Sequence, residues 1–347
     1  MRSLHPLSLA GLTLACALPA HAEVPRVATD LPAVAALVQQ VMGDLGQPET
    51  LIETGSDAHD FQLRPSQARS LQQADMLIWI GPEMTPWLER AVSGLGGTVT
   101  SVPLLDLPGT HLQDFGANPD HDHAHEEEAH GHAHGLEGDH AGAEDDTGDG
   151  AGDGAGDDAG DDAGDDAGDG HDHSGLDPHA WLDPGNGQLW LGAIAAALAQ
   201  KDPENAETYA ANAAKARDEL AALDAELATQ LAPLAKKPFV VFHDAYGYFT
   251  SHYGLTPAIA VSLGDASTPS AARVAGIRDR VSGEGIVCAF PEANHDAGLI
   301  AAVIEGTGLR QGAPLDPEGS QLPPGPDQYA ATLRAMAAAL SDCLGQN

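Results

Sequence analysis

The chain has 347 residues, with 52 acidic against 15 basic side chains and a formal net charge of −37. That balance excludes nucleic acid and anionic membrane as partners, and the length suits two ordinary domains. The charge is unevenly spread: 20 of the acidic residues and no Lys or Arg fall between Asp120 and Asp172, so the remainder carries −17.

The chain opens with Arg2, a short apolar run from Leu7 to Leu18, and Ala20-His21-Ala22. This is the pattern of a signal peptide over 1–22 that directs export to the periplasm, with the mature chain beginning at Glu23. Thr13 stands where a lipoprotein signal would carry Leu before Cys16. The apolar run is too short to span a bilayer and no other stretch is long enough, so no direct membrane insertion is expected.

Beyond the signal the pattern is α/β. Val24–Thr29 reads as a first strand and Pro32–Met42 as a helix. Met76–Ile80 is a buried strand closed by Gly81-Pro82. Residues 117–175 are low in complexity: a His-rich half, five repeats of Ala-Gly-Asp followed by Asp or Gly, and His171-Asp172-His173. With almost no large apolar side chain they cannot bury enough surface to offset chain entropy, and a disordered insert is expected. Its nine histidines suit loose, multiple binding of zinc, which they would collect near His179. Next comes Pro203–Leu231, free of internal Gly and Pro, with Leu220, Leu223, Leu227 and Leu231 along one face. Asp202 and Pro203 fit a helix start there. Phe239–Phe242, Pro257–Leu263 and Gly285–Phe290 are apolar runs of strand length with helical patterns between them, as in parallel sheets.

After signal removal two cysteines remain, Cys288 and Cys343. An even pair in an oxidising compartment can form a disulfide; zinc ligation is the weaker alternative, since neither belongs to a C-x-x-C pair.

Six histidines lie outside signal and insert. His111, His252 and His295 read as hydrogen-bonded structural residues, His252 near a helix end. The other three stand in loops or at a strand end: His59 in Gly55-Ser-Asp-Ala-His-Asp60, His179 in Asp177-Pro-His-Ala-Trp-Leu-Asp-Pro184, and His243 directly after the strand ending at Phe242. Ligand sites in parallel α/β sheets gather beyond the strand ends, and three imidazoles meeting there would suit Zn²⁺ with one further place for water or carboxylate. Asp60, Asp183 and Asp244 are adjacent carboxylates that could orient the rings. Spacing alone does not bring the three histidines together.

Four phrases occur in a shared order: Gly-Ser-Asp-Ala-His-Asp-Phe-Gln-Leu-Arg-Pro-Ser (55–66), Asp-Pro-His-Ala-Trp-Leu-Asp-Pro (177–184), Phe-His-Asp-Ala-Tyr-Gly-Tyr-Phe (242–249) and Leu-Asp-Pro-Glu-Gly (315–319). In these the chain resembles the zinc-specific, ZnuA-type branch of the periplasmic metal-binding solute receptors of ABC importers. The acidic, His-rich insert before the second phrase is a further mark of that branch. The resemblance implies two α/β lobes, each a mainly parallel sheet flanked by helices, joined by a long rigid helix with metal between the lobes. The organisation it implies is an N-terminal lobe over 23–200 carrying the 117–175 insert, a linking helix over 203–232 and a C-terminal lobe over 236–347.

By the same resemblance His59, His179 and His243 are the metal ligands, Zn²⁺ is the cargo, and Cys288 and Cys343 form the C-lobe disulfide. Manganese-binding relatives place Glu where His243 stands, and imidazole suits the softer zinc. Ala58 departs from zinc receptors with Glu just before the first ligand, so the fourth place falls to water, to an insert residue or to Asp316, a possible fourth ligand. The implied partner is the membrane permease of a zinc ABC importer, served by a monomer. Two other readings compete: a metal buffer or adhesin working through the insert, and a zinc hydrolase. The hydrolase reading lacks an H-E-x-x-H motif or a nucleophile elbow, so no enzyme is expected.

Overall fold

The computed structural model describes residues 23–52, 55–59, 61–115, 175–263 and 269–346. The signal expected at 1–22 and the insert expected at 117–175, up to residue 174, lie outside the described residues.

The first half builds β1 (Val27–Thr29), α1 (Pro32–Met42), β2 (Glu49–Thr50), α2 (Pro65–Gln73), β3 (Met76–Trp79), α3 (Pro86–Ser93) and β4 (Thr100–Pro103). Its strands form an all-parallel sheet in the order β2-β1-β3-β4. Two helices follow, α4 (Pro184–Lys201) and α5 (Ala206–Leu231). The second half builds β5 (Val240–His243), α6 (Gly247–His252), β6 (Ile259–Ser262), α7 (Ala271–Gly283), β7 (Cys288–Phe290), α8 (Gly298–Ile304), β8 (Arg310–Gln311) and α9 (Gln328–Leu344). Its sheet repeats the parallel arrangement in the order β6-β5-β7-β8. In each sheet the chain leaves the first strand to one side and returns on the other. The carboxyl ends of the inner strands therefore flank a topological switch point, where a crevice opens.

The inner strands are buried on both faces, as strands covered by helices must be. β2, β4 and β8 are short edge strands with exposed residues, and their apolar signal is correspondingly weak. At the first switch point Asp30 is fully buried and accepts hydrogen bonds from the Leu31 and Ile80 backbone N–H groups at 2.7 and 2.9 Å. Burial lifts its pKa to about 7, with the backbone donors opposing.

The helix expected from Pro203 opens there with a 3₁₀ turn before the α-helix proper. Pro203–Asn205 is a 3₁₀ turn and α5 runs 26 residues from Ala206, about 39 Å at 1.5 Å per residue. Asp202 gives its carboxylate to Asn205 Nδ2 and Tyr209 Oη at 2.7 and 2.8 Å instead of capping backbone N–H groups. Leu220, Leu223, Leu227 and Leu231 are buried, in line with Tyr209, Ala213 and Ala216. This stripe belongs to a continuous core that takes in α1, α4, α9 and residues of both sheets. Two smaller clusters lie on the outer faces, one under α2 and α3 and one under α7 and α8. α9 packs on both α1 and α5, so the last helix of the second half reaches the first.

Cys288 in β7 and Cys343 in α9 form a disulfide with Cα atoms 6.2 Å apart, closing a separation of 55 residues. Replacing both with Ala is expected to lower unfolding free energy by roughly 4 kcal/mol on the chain-entropy account. Urea denaturation of the double variant measures this; an unchanged midpoint and slope would show that the crosslink adds nothing.

Candidate metal site

Each of the three candidate histidines is delivered by a different device. His243 is the last residue of β5 and enters the crevice at the carboxyl end of the sheet. His59 lies on the loop after β2, where Asp57 Oδ1 accepts its backbone N–H at 2.9 Å. His179 precedes a 3₁₀ turn, Ala180–Leu182, that is clamped from the second half of the chain. Trp181 donates its indole N–H to the Pro317 carbonyl at 2.8 Å, and Tyr329 of α9 donates its hydroxyl to the Trp181 carbonyl at 2.6 Å. Gly187 makes room for that approach, since a Cβ there would sit 2.6 Å from the Tyr329 hydroxyl.

The structure brings the three together. One ring nitrogen from each of His59, His179 and His243 lies within 4.8 Å of the other two. Ring centroids are 5.2 Å apart for His179–His243, 5.4 Å for His59–His179 and 5.9 Å for His59–His243. His179 and His243 are buried, and their Nε2 atoms face each other at 3.4 Å. Each Nδ1 is committed elsewhere: His179 to Asp177 Oδ1 at 2.7 Å and His243 to Glu292 Oε2 at 2.6 Å. With Nδ1–H donated to a carboxylate, Nε2 is left as a lone pair. With both rings neutral in this form, the two nitrogens facing one another cannot bond, and a cation between them satisfies both. Among the described residues His59 Nε2 is likewise buried with no hydrogen-bond partner.

Electrostatics favour neutral rings at two of the three positions. Burial, then the neighbouring His179 and His243, lowers the His59 pKa to about 3. Burial and His243 hold His179 well below its ordinary value. Burial also pulls on His243, but the charge and hydrogen bond of Glu292 outweigh it and raise this pKa. Asp177 is lifted by burial to about 7, against the hydrogen bonds from the His179 backbone and Gln113. A divalent ion on His179 Nε2 would draw it back toward the carboxylate form. Bound zinc would take the place of the proton that Glu292 favours on His243, and three imidazoles with bonds near 2.0–2.1 Å are a zinc donor set.

Among the described residues, the carboxylates bonded to the His179 and His243 rings are not Asp183 or Asp244. Asp183 instead caps α4 through Gly185 N–H and receives His111 Nδ1 and His252 Nδ1, both at 2.8 Å. Asp244 lines a neighbouring cavity, and Asp60 lies outside the described residues. Asp177 and Glu292 hold the rings. Asp177 has a local signal, two residues before the ring it orients; Glu292 stands 49 residues from His243 and has none. Asp316, the possible fourth ligand, does not join the three-histidine group among the described residues. Its carboxylate accepts from Ser320 N–H and Oγ and from Gln321 N–H, at 2.8–3.1 Å. Those bonds make it the brace of the 316–321 turn. The third carboxylate at the site is Glu318, buried, with Oε1 reaching Ala58 N–H at 3.4 Å and Oε2 unpartnered.

Two parallel-sheet lobes with a helix running between them, and a crevice at the strand ends, define a two-lobed solute-binding protein. The chain belongs to the family described as zinc-uptake complex component A, periplasmic, whose profile matches residues 27–343. It is similar to the high-affinity zinc uptake system protein ZnuA of Paracoccus denitrificans (strain Pd 1222), 62% identical over 98% of each chain. The protein of that name from Brucella suis biovar 1 (strain 1330) is 35% identical over 100% of each. Among solved structures, a ZnuA crystal structure superposes with a TM-score of 0.68 at 21% identity, covering 92% of this chain and 99% of the other. The laminin-binding adhesin of Streptococcus agalactiae matches equally well in fold, with a TM-score of 0.68 at 20% identity and the same coverage. The family is one of solute-binding transport proteins rather than enzymes. Among the described residues no helix is long and apolar enough to cross a membrane.

His252, read from sequence as structural, bridges Asp183 at the start of α4 and Asp224 of α5, each at 2.8 Å. Burial opposes its charge, but the bonds to Asp183 and Asp224 prevail and raise its pKa; His111 shares Asp183, and Tyr253 adjoins Asp224. A raised histidine contributes stability in full below its unfolded value, about 6.5, and loses it as pH rises through the folded value. The stability advantage of the native chain over His252→Gln is therefore expected to be largest near pH 6 and to shrink toward pH 9. Thermal unfolding across that range checks the sign.

Proposed function

We propose that His59, His179 and His243 form the one tight zinc site, and that the protein captures Zn²⁺ there and delivers it to the membrane permease of an ABC importer. The observation that carries this reading is the pair of facing Nε2 atoms, each made a lone-pair donor by a buried carboxylate on its Nδ1. Family membership supports the cargo and the transport role. The site binds without turnover: its carboxylates orient rings, and the remaining coordination place falls to water. The lobes extend over 23–200 and 236–347 with α5 as the link. The Trp181–Pro317 and Tyr329–Trp181 bonds tie the His179 turn to the second lobe, so ligand exchange falls chiefly to the His59 loop.

Competition against a chromophoric zinc chelator tests the ligand set. Single replacement of His59, His179 or His243 by Ala is expected to weaken zinc binding by at least about 100-fold, since each removes one direct bond to the ion. Glu292→Gln is expected to cost about 10–100-fold, the usual effect of losing a partner that orients a ligand. Removal of residues 117–174 is expected to abolish weaker binding and retain the tight site, because all three histidines lie outside that segment. Undiminished tight binding in His179→Ala would overturn the assignment.

A further inference from the structure

His295 stands beside the three-histidine site and has no part in it. It falls three residues after Glu292, in Glu292-Ala293-Asn294-His295, within the turn that follows β7. Its backbone N–H reaches the Glu292 carbonyl at 3.3 Å, which turns both side chains the same way. Phe242 stacks on the ring, with centroids 4.3 Å apart and planes 20° from parallel, and so sets its plane. Its Nε2 then points between two carboxylates, Glu292 Oε1 and Asp57 Oδ2, each 3.7 Å away.

Those distances are too long for hydrogen bonds. They are close to the separation of about 3.3–3.4 Å between ligand atoms on a tetrahedral zinc ion with bonds near 2.0–2.1 Å. Glu292 divides its two oxygens: Oε2 takes the hydrogen bonds from His243 and Tyr246, and Oε1 faces His295. His243, Glu292 and His295 each offer a ligand atom within 4.8 Å of the others. Glu318 lies nearby, and burial, then the charges of Asp57 and Glu292, raise its pKa well above the usual carboxylate range. Exposure is graded: side-chain accessibility is 1% at His179 and 4% at His243, but 15% at His295 and 20% at Asp57.

We propose a second, outer zinc position, held by His295 Nε2 and Glu292 Oε1 with Asp57 beside it, through which ions exchange between solvent and the inner three-histidine site. The inference builds on the inner-site reading but uses different atoms. One imidazole and one carboxylate, with the remaining places left to water, bind zinc more weakly than three imidazoles. Glu292 touches both positions, and Asp57 lies two residues before His59, so an ion would change ligands one at a time without passing through bulk water. A position on the exchange path speeds arrival and departure alike and leaves the inner equilibrium unchanged.

Anomalous diffraction from crystals of the full chain at stepwise zinc concentrations tests the position. A first peak is expected among His59, His179 and His243, and a second, filling later, against His295 and Glu292. An inner peak with no density against His295 even at millimolar zinc would overturn the outer position and leave the inner site standing. A peak against His295 alone would support the outer position and overturn the inner site. Rapid mixing of zinc-loaded protein with a chelator tests the path. His295→Phe is expected to slow release and rebinding several-fold together, with inner affinity held within about twofold and the insert common to both proteins. Unchanged rates would overturn the exchange role.

Discussion

Everything at this site follows from one constraint: an imidazole can offer a metal only the nitrogen it does not spend elsewhere. Asp177 and Glu292 each take one Nδ1, and what remains is two Nε2 atoms 3.4 Å apart in a buried crevice. Burial keeps His59 and His179 neutral, so the same surroundings that make charge costly make the ligands ready. An arriving divalent ion restores the favourable partner that burial denied.

The scaffold serves this constraint by stiffness. His243 ends a strand buried on both faces, so its backbone has little freedom. The His179 turn is held by an indole and a phenol that bond across from the other half of the chain. α9 reaches α1, the disulfide ties α9 to β7, and α5 carries a core stripe along its length. Ligands prearranged in this way need little further ordering when the ion binds, which favours affinity. The His59 loop is held by lighter means: Asp57 at its own N–H, Trp87 at the Ala58 carbonyl and Glu318 at the Ala58 N–H.

Much of the fold was legible in the residues. Pro32–Met42 and the apolar strands at 76, 240, 259 and 288 appear within a few residues of where their patterns place them, because buried strands leave unbroken apolar runs. β2, β4 and β8 escaped notice because these short strands carry exposed residues and no such run. The long helix opens at Pro203 as its residues suggest, but only the fold shows its first turn as 3₁₀ and Tyr209 and Asn205 claiming the Asp202 carboxylate.

At the site the division is sharper. The sequence by itself determined the three candidate histidines and the family, since these reside in short contiguous phrases. Only the tertiary structure decided the partners. Glu292 orients His243 from 49 residues away, Asp183 serves His111 and His252 rather than the rings, and Asp316 braces its own turn. A hydrogen bond depends on distance and direction in space, and residues from separate strands acquire these only when both sheets close on one crevice. For the same reason His295, ordinary in sequence, emerges as a candidate ligand only beside Glu292 and Asp57.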